Sequence, residues 1–161
     1  MLQRRLLPRA FLLALAPVAL AIPSASRSSA SRASACDPDN GGLVLPQGAC
    51  ATLVASDIGA ARQLAVSPNG NLYAAISEGG GGGILALRDT NADGKPDQRA
   101  SFGPRGGNDV AVHEGYLYLS LPDRVLRYRL SQDQLKPAGD EETVVQGLPH
   151  GSGHRAKSLA F

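Results

Sequence analysis

An all-β chain assembled from a repeated four-stranded unit is what the sequence predicts, and three observations carry that reading. Tryptophan is absent and aromatics make up 4% of 161 residues, while Gly (19) and Pro (11) are plentiful. That composition favours short strands joined by turns over a bundle of long helices. Short apolar runs alternate with turn-forming clusters throughout the second half of the chain. The pattern also recurs: Ala65, Ala111 and Ala160, each central to a similar apolar run, lie 46 and 49 residues apart. A period in that range, with turn-separated strands, is the signature of β-propeller blades.

The N-terminus reads as an export signal. Arg4, Arg5 and Arg9 form a positive region, an apolar run spans Phe11 to Ala21, and Ala19-Leu20-Ala21 supplies an A-x-A-like cleavage site. Those parts in that order describe a secretory signal peptide over residues 1–21. The run is roughly half the ~20 residues a spanning helix needs, and Pro17 interrupts it, so no stable membrane span is expected. Residues 22–35, rich in Ser, Ala and Arg, read as a disordered lead-in that cannot bury a core. The mature protein is accordingly expected to be periplasmic or extracellular. Five of the sixteen Lys and Arg residues fall within the first 35 positions, which hold no acid. The remainder carries 11 basic against 14 acidic groups, a net charge of −3. Such a body has no electrostatic footprint for nucleic acid or anionic lipid.

Cys36 and Cys50 are the two cysteines. An oxidising compartment lets them pair, and a loop this short gains about 3 kcal/mol from closure by chain-entropy reasoning. With no C-x-x-C spacing and no nearby His, a structural disulfide pinning the N-terminal arm is favoured over a catalytic or metal-binding pair.

The domain proper is expected over residues 36–161. Its first repeat divides into strand-like pieces at 62–66, 71–77, 83–88 and 98–102, and its second at 108–112, 116–120, 124–130 and 142–146. In the third piece of the second repeat, Leu126, Tyr128 and Leu130 alternate with Val125, Arg127 and Arg129, the period of a strand with two different faces. Pro68-Asn69-Gly70 and Pro122-Asp123 supply turn chemistry, because Pro fixes φ and Gly or Asn tolerates positive φ. Lys157-Ser158-Leu159-Ala160-Phe161 repeats the opening of both units and predicts a further inner strand. The expectation is about two blades plus one strand, an incomplete part of a propeller that would be inactive alone.

Four motifs invite a chemical reading. Asp89, Asn91, Asp93 and Asp97 lie in a D-x-N-x-D-G-x-x-D pattern that resembles an acidic calcium loop, whose alternate oxygens converge on a hard cation. Ala100 stands where an EF-hand would place its Glu, so a solvated turn between strands is the competing reading. The run Gly79–Gly83 lacks the Lys and Ser/Thr of a phosphate-binding loop and is followed by Ile84-Leu85, which makes it a flexible hairpin turn. His150 and His154 have the i, i+4 spacing of helical zinc ligands, but Gly151-Ser152-Gly153 disfavours a helix. His154 itself follows Gly147-Leu148-Pro149 and precedes the next inner strand. An imidazole at such a connection can abstract a proton from an alcohol; an ordinary loop histidine is the plainer alternative.

Several stretches resemble the glucose/sorbosone dehydrogenase family, the soluble pyrroloquinoline-quinone-dependent sugar dehydrogenases. They are Gly42 to Cys50, Ala61 to Tyr73, Gly83 to Asp89, and Gly147-Leu148-Pro149 through His154 to Phe161. The resemblance covers most of residues 36–161 and implies a six-bladed propeller using pyrroloquinoline quinone and calcium to oxidise a sugar or related alcohol or aldehyde. It implies that His154 is the catalytic base, taking the hydroxyl proton while hydride passes to the quinone. A small-molecule sugar and an external electron acceptor would be its partners. Gly153 and Arg155-Ala156-Lys157 depart from the glucose branch and lean toward the sorbosone-like one. Most cofactor ligands of the family come from later blades. The competing readings are a non-catalytic secreted propeller that binds a carbohydrate or protein, and a calcium-stabilised surface protein.

Overall fold

The computed structural model describes residues 36–151 and 156–161. The expected signal peptide (1–21), the lead-in (22–35) and His154 lie outside the described residues. Eight strands form two antiparallel sheets in which spatial order equals chain order. Blade 1 comprises β1 (Ala61–Val66), β2 (Leu72–Ile76), β3 (Ile84–Arg88) and β4 (Gln98–Phe102). Blade 2 comprises β5 (Asp109–His113), β6 (Tyr116–Ser120), β7 (Arg124–Arg129) and β8 (Glu142–Gln146). Among the described residues, the sole helical element is a single 3-10 turn, Asn40–Gly42.

Pleat alternation divides blade 1 into two apolar faces. Tyr73, Ala75, Ile84, Ala86 and Phe102 point one way and pack against Val110, Leu117, Leu119, Leu126 and Tyr128 of blade 2. Ala74, Ile76, Leu85 and Leu87 point the other way and are covered by Ala55 and Ile58 of the N-terminal arm. Leu117 and Leu119 are fully buried in the seam between the blades. Burial of each such side chain contributes about 1.5–3 kcal/mol. The seam closes tightly because one side of it is built from alanines. Ala65, Tyr73, Ala86 and Ala100 form one cross-strand row.

The glycine run between β2 and β3 is a turn, as expected, but it is packed rather than flexible. Gly83 donates to Gly103 O at 3.2 Å, and Ile76 N donates to Gly83 O at 2.8 Å. A Cβ on Gly82 would stand 2.6 Å from the Phe102 carbonyl oxygen, and one on Gly83 would collide with that of Pro104. The run is glycine because another backbone passes against it.

Antiparallel order gives each blade two ends. The lower end gathers the β1–β2, β3–β4, β5–β6 and β7–β8 connections; Asn69 Nδ2 there donates to Gln132 O across the blades at 3.0 Å. The upper end gathers residues 77–83, 103–108, 121–123 and 147–151. Gly107 N donates to Ile76 O at 3.0 Å, and Leu148 N to Asp123 O at 2.9 Å.

Cys36 and Cys50 are joined in a disulfide with their Cα atoms 5.7 Å apart. The arm it closes is fastened through Asp37, whose carboxylate accepts from Leu53 N at 2.6 Å and pairs with Lys95 at 3.4 Å. Arg99 of β4 reaches back to Ser56 O and Asp57 O at 3.3 and 3.2 Å.

Lys157–Phe161, expected as a further inner strand, pairs with neither sheet. In both blades the inner strand takes its ladder bonds from the strand that follows it. The segment is instead held by side chains of blade 2. Phe161 stacks on His113 at 4.4 Å and lies 4.8 Å from the Tyr118 ring.

Tyr128 sets up a test of the seam. Its ring meets Phe102 edge-on at 5.3 Å, while its buried hydroxyl has no hydrogen-bond partner among the described residues. An unsatisfied buried hydroxyl costs about 1–3 kcal/mol, and the ring contact survives without it. Tyr128→Phe is therefore expected to be neutral or stabilising in chemical denaturation. Burial pushes the phenol up to about 12 from its ordinary 10.0. The unfolded chain releases this proton first, so wild-type stability should fall between those pH values. Tyr128→Phe should lack that increment.

Candidate functional site

The crossing from blade 2 toward the next inner position is where the sequence places its candidate base. It starts at Gly147, directly after the outer strand β8. Its described far end, from Lys157, lies beside the inner strands of blade 2. Its start is fixed by the Leu148–Asp123 backbone bond. Its far side is fixed by two buried polar side chains. Ser120 Oγ donates to Lys157 O at 2.6 Å, and Asp109 Oδ2 accepts from Leu159 N at 2.7 Å. Asp109 Oδ1 accepts in turn from Val110 N at 2.7 Å.

Asp109 and Ser120 face each other directly across the β5–β6 ladder. Their counterparts in blade 1 are Gln63 and Ala75, also a ladder pair. The polar pair is thus a feature of blade 2 and not a requirement of the repeat. Burial of Asp109 at 8% exposure and Ser120 at 0% makes both bonds costly to lose. Neither residue stands out in a linear reading. Laying the second repeat on the first would have found both, as polar residues at positions where blade 1 carries a neutral amide and an alanine.

His150 is exposed, with Nδ1 3.1 Å from Leu148 O. His154 falls outside the described residues, as do Ser152, Gly153 and Arg155. Nearby cations in the described loops are Arg105, Arg124 and Lys157, and Arg124 is paired with Asp123 at 3.6 Å. Among the described residues no three His, Cys, Asp or Glu side chains converge as a metal cluster. The described part of these two blades does not form a complete seat for a tricarboxylate quinone with its cation.

Asp89, Asn91, Asp93 and Asp97 lie at the lower end, away from the crossing. Asp89 accepts from Ala92 N and Gly94 N at 2.7 Å each, and from Asn91 N at 3.2 Å. Asn91 Oδ1 accepts from Asp93 N at 3.0 Å, and Asp93 from Lys95 N at 2.7 Å. Asp97 closes the loop by accepting from Thr90 Oγ1 at 2.6 Å and Thr90 N at 2.9 Å. The Thr90 hydroxyl and amide hold the Asp97 carboxyl below its ordinary range. The motif's oxygens serve the loop's own N–H groups, and the motif brings Asp89, Asn91 and Asp93 together without reaching the upper end.

No helix among the described residues is long and apolar enough to cross a membrane. No family model matches the chain, and no curated protein matches it. Among solved structures it is similar to the PQQ domain of a pyranose dehydrogenase from Coprinopsis cinerea, determined in holo form. The match has a TM-score of 0.53 and 17% identity over 64% of this chain. The chain spans 25% of that neighbour's length. At this identity the likeness speaks to the fold: two four-stranded antiparallel blades of the β-propeller type.

The clamp on the crossing generates a prediction. Asp109→Ala removes the acceptor for Leu159 N–H and should cost about 1–3 kcal/mol of local stability. Amide exchange at Leu159 should accelerate while that at Leu119, within the seam, stays slow.

Proposed function

We propose that the chain forms the first blades of an exported quinone-dependent dehydrogenase oxidising a sugar or a related alcohol or aldehyde, with His154 as its general base. The observation that carries this reading is the crossing at the upper end. It runs from the outer strand to the inner strands of blade 2, is anchored at Leu148, Lys157 and Leu159, and contains His154 in its sequence. The neighbouring fold is that of a domain whose title names pyrroloquinoline quinone, which supports the same cofactor class here. The disulfide between Cys36 and Cys50 is in keeping with export.

In this reading the chain's own contribution to chemistry is general base catalysis. A neutral imidazole accepts the proton of a substrate hydroxyl, which raises electron density on the carbon to be oxidised. The quinone, when bound, supplies the electron sink. The ligands for quinone and calcium are assigned to residues outside the described part of these blades. Asp109 and Ser120 fix where the crossing re-enters the blade layer.

The test uses the complete gene product loaded with pyrroloquinoline quinone and calcium and assayed with aldoses and sorbosone. His154→Ala should lower kcat by roughly 10²–10⁴ while leaving quinone affinity nearly unchanged. Full turnover in the variant would return His154 to the status of a loop residue. Failure of the wild type to retain quinone at all would favour the non-catalytic binding propeller.

A further inference from the structure

Two Asn-Gly steps lie among the described residues, Asn40-Gly41 and Asn69-Gly70, and the fold treats them differently. An Asn-Gly step is open to self-attack, because glycine puts no side chain beside the backbone nitrogen that reaches the asparagine amide. Both asparagines have a donor on Oδ1, Ala51 N at 3.2 Å for Asn40 and the Ser67 hydroxyl for Asn69. The attacking nitrogen and its surroundings are what separate them.

Asn40 lies half-buried in the 3-10 turn, inside the loop that the Cys36–Cys50 disulfide closes. Gly41 N donates to the Asp39 carboxylate at 3.1 Å, and a carboxylate beside that N–H opposes the loss of its proton. Asn69 is exposed at the lower end, in the turn from β1 to β2. Gly70 N faces a neutral acceptor, Ser67 O at 2.9 Å. Gly70 has φ 85° with open space around its Cα, so no neighbour blocks a ring joining its nitrogen to the Asn69 side chain.

Ser67 supplies a second, independent observation. Its buried hydroxyl makes its shorter contact to Asn69 Oδ1 and its longer one, 3.2 Å, to Asn71 O. Oδ1 is the atom on which negative charge gathers when the amide carbon is attacked, and a donor already fixed there lowers that barrier. The same side chain also carries a structural duty, since Asn69 Nδ2 ties blade 1 to Gln132 O of blade 2 at 3.0 Å.

We propose that Asn69 is a self-modification site, where conversion to aspartate or isoaspartate cuts a tie between the blades at their lower end. Gly70 N gives up its proton to solvent base and bonds to Asn69 Cγ. The Cγ–Nδ2 bond breaks, and the nitrogen takes that proton back and leaves as ammonia. Water then opens the resulting succinimide at either ring carbonyl, so an amide and a water become a carboxylate and ammonium. The product has no donor for Gln132 O and sets a carboxylate against that carbonyl. Arg88 Nη1 still donates to Asp133 O at 3.3 Å, so the blades stay docked while their lower loops loosen. The site is separate from the upper-end crossing and independent of the dehydrogenase reading.

To test it, the disulfide-intact full chain is incubated at mildly alkaline pH, folded or in guanidinium, and both steps are followed by peptide mapping. In guanidinium the two asparagines should convert at comparable rates. In the folded chain Asn69 should lead Asn40 by at least about tenfold, and Ser67→Ala should slow Asn69 about tenfold, the worth of one charge-assisted hydrogen bond. A turn merely loosened by that substitution would convert faster instead. Asn69→Asp should melt lower than the wild type and shift the amides of residues 131–133, while Leu148 at the upper end keeps its shift. The proposal is overturned if folded Asn69 stays intact, if Asn40 keeps pace with it, if Ser67→Ala converts as fast as the wild type or faster, or if Asn69→Asp melts with the wild type.

Discussion

The close stacking of two twisted sheets governs the rest of the molecule. Sheets that pack face to face sit about 10 Å apart, and side chains from both must share that space without voids. Blade 1 meets the condition with Ala65, Ala75 and Ala86 against the leucines of blade 2. The same closeness reaches into the connections, where Gly82 and Gly83 leave room for the Phe102–Pro104 backbone. It also imposes a demand on polar groups, since water is excluded from the seam. Asn71, fully buried, answers by accepting from Arg88 Nε at 2.8 Å and donating to the Tyr73 hydroxyl at 3.3 Å. Arg88 then reaches Asp133 O of blade 2 at 3.3 Å. One alanine-rich face thus determines where glycine is required and which polar side chains must find partners.

The second blade does not repeat that face. Where blade 1 has the row Ala65, Tyr73, Ala86 and Ala100, blade 2 has Ala111, Tyr118, Arg127 and Glu142. Arg127 pairs with Glu142 through Nε at 2.8 Å and Nη2 at 2.7 Å, and its guanidinium lies 4.3 Å from the centre of the Tyr116 ring. Arg129 donates to the Tyr116 hydroxyl at 3.1 Å. A layer resting on this surface is positioned by directed bonds and ring contacts, not by alanine-depth interlocking. Phe161, between His113 and Tyr118, and the backbone of Lys157 and Leu159 are held in just that manner. The internal repeat therefore preserves the backbone plan while its two forward faces carry different chemistry.

Most of the fold was legible because strand alternation and turn chemistry are local signals. All eight strands of the two blades fall within about two residues of where the sequence puts them, and the cysteines pair. What was not legible depended on neighbours distant in sequence. The Gly79–Gly83 run gives no local hint that Pro104 presses against Gly83, so it reads as slack when it is packed. The third inner strand is predicted by the likeness of Lys157–Phe161 to the openings of both repeats, whereas a strand exists only where a ladder partner does. Asp109 and Ser120 look unremarkable singly and acquire meaning as an opposed pair on adjacent strands. The D-x-N-x-D-G pattern is one that two kinds of loop share. Asp and Asn are placed at alternate positions both by cation loops and by turns that satisfy their own amides, and here the oxygens of Asp89, Asn91, Asp93 and Asp97 face N–H groups of the loop itself or the Thr90 hydroxyl.

The two ends of the blades divide the remaining chemistry, and strand direction enforces the division. An antiparallel four-stranded unit sends alternate connections to opposite ends, so a residue's end is fixed by which strands its loop joins. The crossing after β8 can only be at the upper end, and the His113–Tyr116 hairpin can only be at the lower one. Between them lies the seam, whose buried leucines, alanines and aromatic pair do not rearrange without losing close packing. Such a layer isolates the ends: a loop at one end can be strained, charged or lengthened without disturbing the other, since only its flanking strand termini must stay in register. Glu114 illustrates the latitude at the lower end, where a left-handed glutamate is carried by a hairpin whose strands are fixed by Leu117 and Leu119 beneath it. Asp109 and Ser120 illustrate it at the upper end, where a buried carboxylate and hydroxyl reach out of the layer to hold a passing backbone. Stability is concentrated in the sheet faces, and that concentration is what leaves both sets of loops free to hold groups that a stability-driven sequence would not choose.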